Sequence, residues 1–342
     1  MGHSKVDIST STFVRLILFL LALWFIFLIR DVLVLLFLVM IIVAGLSPTV
    51  DRWAKTITRP GAVISVFLLF VVILGAILGL IIPPFVTQLQ EFANNLPLYA
   101  DQLSRSDSDG FLTEAAKLTV ANLNQIASQL SNISGSLFTK TLGVINGLVA
   151  MVTVLVLAFY LLLEEEGMKK IYKGIIPNEW YDDLAETTRK IAGRLGAWLR
   201  GQLFLMFIVG FAVTIGLLIV GSPYALSLGI WAGLTEAIPI VGPWLGAVPG
   251  VAVGLAESPL QGFLTLLVYL VIQQLEGNIL VPKIMSKAVG LNPVIVIIAI
   301  LIGGKLYGLM GVVLAVPLAA VVSVITEDWH IIRQTFSNSR DK

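Results

Sequence analysis

Residues 291–302 read Leu-Asn-Pro-Val-Ile-Val-Ile-Ile-Ala-Ile-Leu-Ile, an apolar run that stops at Gly303-Gly304-Lys305. A second run, 306–325, follows at once and carries Gly308, Gly311 and Pro317. Ahead of the first stand Gln273, Gln274, Glu276 and Asn278. Lysine is costly inside a bilayer, and each helix-interior glycine is disfavoured by about 1 kcal/mol relative to alanine. A passive anchor has no use for either. The expected arrangement is a helix broken at Gly303-Gly304, with Lys305 turned toward a buried acid or a water-filled cavity. Snorkelling of Lys305 to the headgroups along an unbroken helix is the alternative.

The rest of the chain extends this reading. Its 342 residues are 57% hydrophobic and 13% charged, about half the charge of a soluble domain. A net charge of +1 offers nothing to nucleic acid. The absence of cysteine excludes disulfides, iron–sulfur clusters and thiolate metal sites. His3 and His330 lie outside the apolar runs, so neither a histidine-rich metal site nor a Ser-His-Asp triad can be assembled. No cofactor, metal or enzymatic activity is expected. Without a Gly-rich phosphate loop ending in Lys-Ser/Thr, ATP-driven transport by this chain alone is excluded.

The fold expected is all-α: a polytopic membrane protein of about eight helical spans, with broken or re-entrant hairpins in its C-terminal half. Spanning the hydrocarbon core takes about 20 helical residues. Residues 13–29 and 32–46, separated by Arg30-Asp31, read as a tight helical hairpin, without a cleavable signal peptide. Residues 1–83 then form a three-span region, 84–142 an extracytoplasmic amphipathic region and 143–163 a fourth span. Residues 164–202 form a cytoplasmic amphipathic helix region, 203–327 a transport core and 328–342 a cytoplasmic tail. Lys5, Arg15, Arg52, Lys55 and Arg59 flank the first hairpin and place the N-terminus in the cytoplasm, where the tail with Arg333, Arg340 and Lys342 is expected too.

Two amphipathic stripes stand out. Leu123, Ile126, Leu130, Ile133 and Leu137 recur at helical spacing, either packed on the membrane domain or forming an oligomer contact. Leu184, Ile191, Leu195 and Trp198 follow Asn178, a potential cap, and read as a helix lying along the membrane face.

The candidate functional residues lie after position 230. Gly242, Gly246, Gly250 and Gly254 recur every fourth residue, with Pro243 and Pro249 among them. Close helix packing is the first reading, and a backbone surface along which an element slides or a solute passes is the second. Gly75/Gly79 and Gly143/Gly147 read as packing alone. Glu236, before Pro239, sits after ten apolar residues, which places it near mid-membrane or at the tip of a re-entrant hairpin. Gln273 and Glu276 share a helix face, and amides with a carboxylate suit a hydroxylated solute or a hydrated cation, or else act as polar glue. Residues 282–287 read as an interfacial loop with two lysines. A shift of 68 positions lays 226–249 on 294–317, both ending Ala-Val-Pro, which suggests two broken hairpins.

These motifs carry a resemblance. Arg200-Gly201-Gln202, Ile238-Pro239-Ile240-Val241-Gly242-Pro243, Gln274-Leu275-Glu276, Leu280-Val281-Pro282-Lys283-Ile284-Met285 and Leu291-Asn292-Pro293 stand in order. Gly308-Leu309-Met310-Gly311 and Ala315-Val316-Pro317-Leu318 complete the set. The chain resembles the autoinducer-2 exporter family of bacterial permeases from about residue 10 to 330. Ile240 stands where the family commonly has an aromatic residue. The resemblance implies a multi-pass protein of the bacterial inner membrane and a homo-oligomer, with a pentamer as the implied form. It also implies export of a small signalling molecule in some members and sodium/proton exchange in others. The leading expectation is proton-coupled export of a small polar solute. Sodium or lithium/proton antiport is the alternative, and a membrane scaffold or channel without coupled transport belongs to a third class.

Overall fold

The computed structural model describes residues 10–73, 141–164, 178–288 and 290–329, with positions 75, 76, 79, 87 and 174 besides. Among these residues all regular structure is helical. The stripe expected at 123–137 lies outside them. The helices are α1 (Thr10–Leu28), α2 (Arg30–Trp53), α3 (Arg59–Ile73), α4 (Thr141–Leu163), α5 (Asn178–Val220) and α6 (Ala225–Thr235). They continue with α7 (Gly242–Glu257), α8 (Pro259–Leu275), a π-turn (Glu276–Leu280), α9 (Val281–Ala288) and α10 (Pro293–Glu327). Helical segments at 30–53, 181–220, 259–285 and 293–327 are long and apolar enough to cross a bilayer.

The first expectation to fail is the N-terminal hairpin. Ile29 N donates to Phe25 O and Leu33 N to Ile29 O, both at 3.0 Å, so helical bonding runs across the α1–α2 junction. Arg30-Asp31 offers no glycine, proline or asparagine with which to reverse a helix within two residues. The described side chains of α1 are exposed on every face. The C-terminal end of α2 packs on α3 and α4, where Val50, Ala62, Val63 and Leu162 form one buried cluster.

The spine is α5, 43 residues without a break. It fuses the expected cytoplasmic helix to the fifth span, because no proline interrupts the stretch and its apolar face continues from one to the other. The stripe expected to lie on the membrane face instead faces protein. Leu195 and Trp198 are buried with Ile41, Leu314, Val316 and Ala320, and Ile191 packs beside them. Nη1 of Arg200 donates to the Gly45 carbonyl at 3.2 Å, which ties α2 to the spine.

Two helical hairpins lie along α5. In the first, α6 runs back antiparallel to the spine, with Gly229 against Thr214 and Gly210, and Gly233 against Met206 and Gly210. Residues 236–241 reverse the chain, and α7 returns with Gly246 against Ala232. Trp231 Nε1 donates to Leu245 O at 2.9 Å and joins the two arms. Next comes α8, whose Tyr269 faces Gly250 and whose Thr265 faces Gly254. Gly242, Gly246, Gly250 and Gly254 are all buried, while Trp244 and Val248 face outward. Small residues inside and bulky ones outside is the packing order of helices in lipid. By contrast, among the described residues nothing comes within 4 Å of a Cβ placed at Gly75, Gly79 or Gly147.

The second hairpin corrects the expected break. The helix continues through Gly303-Gly304-Lys305 and reverses at Tyr307 (φ −136°, ψ 15°) and Gly308 (φ 58°, ψ −138°). Gly308 combines a positive φ with an extended ψ, a region that a Cβ disfavours and glycine enters freely. Gly303 serves a different purpose: it presses against the carbonyl of Gly311 and lets arms 293–306 and 309–327 touch. At the base of the hairpin, Arg194 holds Glu327 through Nη1–Oε1 at 2.9 Å and Nη2–Oε2 at 2.6 Å. Buried Asp328 accepts from Thr187 at 2.9 Å and Lys190 at 3.0 Å.

From base to tip, the first hairpin runs toward the N-terminal end of α5 and the second toward its C-terminal end. Their reversals match across the 68-residue shift, since Ile240 (φ 69°) corresponds to Gly308 (φ 58°). Residues 282–287 lie in helix α9, not in a loop. The π-turn just before it absorbs Pro282, which has no N–H to offer an α-helical bond.

Candidate functional site

Glu236 ends α6 at the tip of the first hairpin and is 4% exposed. Glu276 opens the π-turn after α8 and is 5% exposed. The two carboxyl groups meet side by side. Gln202 of α5, itself buried, donates Nε2 to the Glu236 backbone carbonyl at 2.7 Å. Gln202 immediately precedes the apolar run 203–220, so the pair sits level with the start of that run.

Two unusual pieces of backbone converge on this pair. Ile240, a β-branched residue at φ 69°, shapes the turn after Glu236. That conformation costs such a side chain about 1–2 kcal/mol. Glu276 begins the π-turn, in which Val281 N reaches back five residues to the Glu276 carbonyl. Strained turns and π-bulges recur at functional sites because the surrounding fold must hold them in place.

Burial leaves work undone here. Oε2 of Glu236, Oγ1 of Thr265 and the hydroxyl of Tyr269 are buried without a hydrogen-bond partner. An unsatisfied buried polar atom costs about 1–3 kcal/mol. Like charges side by side out of water repel, and a proton or cation between them relieves that repulsion.

The other expected residues divide. Gly242 presses on Thr235 and Glu236 and fixes the tip, Pro239 is half-buried in the turn, and Pro243 lies in the first turn of α7. Gln273 is half-buried one turn before Glu276. Gln274 and Asn278 are exposed on the outer face with Leu270 and Ile279, away from the pair. Lys305 is exposed near the second tip and, among the described residues, has no acidic partner. The expectation that it joins Glu236 or Glu276 is therefore corrected; its helix carries it outward. At that tip Tyr307 donates instead to Asp31, and Arg30 lies 5.7 Å from the Tyr307 ring. A groove of 670 Å³ between α2 and the second hairpin is lined by apolar groups such as Phe37, Ile298 and Leu318, and by neither carboxylate.

Sequence reasoning passed over Gln202, Thr265 and Tyr269 as site residues. Thr265, Tyr269 and Glu276 stand four and seven apart, one face of a helix, and that spacing was the available signal. Among the described residues no three His, Cys, Asp or Glu side chains gather as a metal set would.

Comparison with known proteins finds relatives named as transport proteins and permeases. YueF of Bacillus subtilis (strain 168), named as a transport protein, is 32% identical over 81% of this chain and 78% of its own length. PerM of Escherichia coli (strain K12), named as a permease, is 28% identical over 81% of this chain and 79% of its own length. The family model described as AI-2E family transporter matches residues 13–331. A multi-pass membrane protein with a buried acid pair in its C-terminal half, this chain belongs to the AI-2E transporter family.

Proposed function

We propose that this chain is a secondary transporter of the bacterial cytoplasmic membrane that exports a small polar solute, of the autoinducer-2 class, in exchange for protons. The observation that supports it most is the Glu236–Glu276 pair, two buried carboxyl groups side by side with one oxygen unpartnered. Such a pair has a use for a proton in one state and for a cationic or hydroxylated ligand in the other. The transport core is residues 203–327, working in a homo-oligomer, with five copies as the number implied by the family resemblance. The C-terminal end and the turn holding Arg52, Lys55 and Arg59 face the cytoplasm by their positive charge. The expected cytoplasmic N-terminus relied on a hairpin that α1 and α2 do not form.

A second reading, sodium or lithium/proton antiport, draws on the same adjacency, because two carboxylates can exchange one proton for one cation. The test is purified full-length protein in vesicles with an entrapped pH dye, pulsed with sodium, lithium, potassium and the candidate solute. A solute-dependent pH change that Glu236→Gln removes supports export, and a response to sodium or lithium alone supports antiport. No pH response to any pulse refutes coupling, and a scaffold or channel without coupled transport becomes the better account.

A further inference from the structure

Thr265 is 1% exposed and Tyr269 is 8% exposed, and neither hydroxyl has a partner. They stand four residues apart on one face of α8 and point at Gly254 and Gly250 of α7. A Cβ at position 250 would lie 2.5 Å from the Tyr269 oxygen, and one at 254 would lie 2.8 Å from the Thr265 oxygen. The facing helix is thus bare where the hydroxyls need it to be. Helix carbonyls accept from threonine hydroxyls elsewhere in the protein, at Thr153, Thr188 and Thr214, but none accepts from Thr265 or Tyr269.

If this interface served packing alone, phenylalanine and valine would fill the same volume with no orphaned oxygen. The same helix face continues to Glu276, 11 residues beyond Thr265, or about 16 Å along the axis. In the other direction it reaches Ser258, the turn between α7 and α8, about 10 Å from Thr265. Gln261 lies on the way and donates to the Val220 carbonyl at 3.0 Å. The charged side chain facing Glu236 among the described residues is Glu276, and Arg200 is turned toward Gly45.

We propose that the α7–α8 interface is a hydroxyl-lined water path from the Ser258 turn to the Glu236–Glu276 pair, with Thr265 and Tyr269 as its polar steps. Water bound there gives each hydroxyl the partner it lacks, since a buried water makes about three hydrogen bonds. The path hands protons to the pair from the end of the bundle opposite Gln202, and in that respect it rests on the coupling reading above.

The test uses the absence of native cysteine. In the full-length protein reconstituted into vesicles, Thr265→Cys reacts with a charged methanethiosulfonate supplied on both sides. Leu267→Cys, on the exposed face of the same helix, reacts at least about tenfold more slowly, a 1.4 kcal/mol difference. Equal, slow reaction of both variants overturns the path. In parallel, Tyr269→Phe and Thr265→Val fold normally by size-exclusion chromatography and slow proton flux about tenfold. Wild-type flux in both variants also overturns it. Labelling of Thr265→Cys in a wild-type background without proton flux instead refutes the coupling reading and leaves the water path standing.

Discussion

The first hairpin (225–257) and the second (293–327) reverse at matching positions with positive-φ residues, Ile240 and Gly308, yet bury their charged groups at opposite ends. In the first, the charge is at the tip: Glu236 is buried against Glu276 and beneath Gln202. In the second, the ion pairs are at the base, where Arg194 grips Glu327 and Lys190 grips Asp328, while Lys305 near the tip is exposed. One backbone plan therefore carries two kinds of work. A buried tip can hold a transported charge, and a clamped base fixes the hairpin to the spine. The turn residues follow the same division: Gly308 reverses the chain without strain, whereas Ile240 does so against its own side chain.

The largest effect should come from exchanging the tips' chemistry. Glu236→Gln is expected to cut proton-coupled flux about tenfold or more at wild-type expression, while Lys305→Met changes it less than about twofold. Vesicle flux measures both, and equal losses would break the comparison.

The hairpin contacts come next. Gly311→Ala sets a Cβ against the Gly303 backbone and should destabilise the protein by about 1–3 kcal/mol, read as a lowered melting temperature in detergent. Gly304→Ala meets only the Cγ2 of Val312 at 3.2 Å and should melt near wild type. If the two variants melt alike, the close approach at Gly303 is not what holds the second hairpin shut.

Exchanging the turn residues sharpens the strain argument. Ile240→Gly should raise stability by up to about 1 kcal/mol, and Gly308→Ile should lower it by about 1–3 kcal/mol. Opposite signs in thermal melts are the expected result; loss of stability in both would mean that Ile240 is held by packing stronger than its strain. The smallest effect belongs to the clamp. Arg194 and Glu327 are partly exposed, so a double-mutant cycle with Arg194→Gln and Glu327→Gln should give a coupling of about 0.2–1 kcal/mol.

Much of this architecture was legible in single residues. Glu236 and Glu276 stood out because carboxyl groups among apolar runs need a reason. The two hairpins showed in the echo ending Ala-Val-Pro at 247–249 and 315–317. The meeting of the two acids, 40 positions apart, could not be read, because it depends on how α6 and α8 fold back along α5. The break in α10 was misplaced for an instructive reason. Propensity assigns Gly303-Gly304 a cost, but close contact with Gly311 and Val312 offsets that cost, and the reversal went to the residue with the required positive φ. The α1–α2 hairpin failed because two charged residues mark a boundary in hydropathy without supplying a turn.

The π-turn at Glu276–Leu280 has a consequence for direction as well as for local bonding. A residue added to a helical turn offsets the azimuth of everything beyond it by about 100°. Tyr269 and Met285 therefore belong to two sectors of one helix whose angular phase is set by a single surplus residue. Met285 and Ile284 touch Gly201 on the spine, one residue before the amide that holds Glu236. If that surplus residue migrated into α9, the residues it passed would turn by about 100° against α5 while α8, Glu276 included, stayed still. The side chains set against Gly201 would then change through rotation alone, with no displacement of either hairpin.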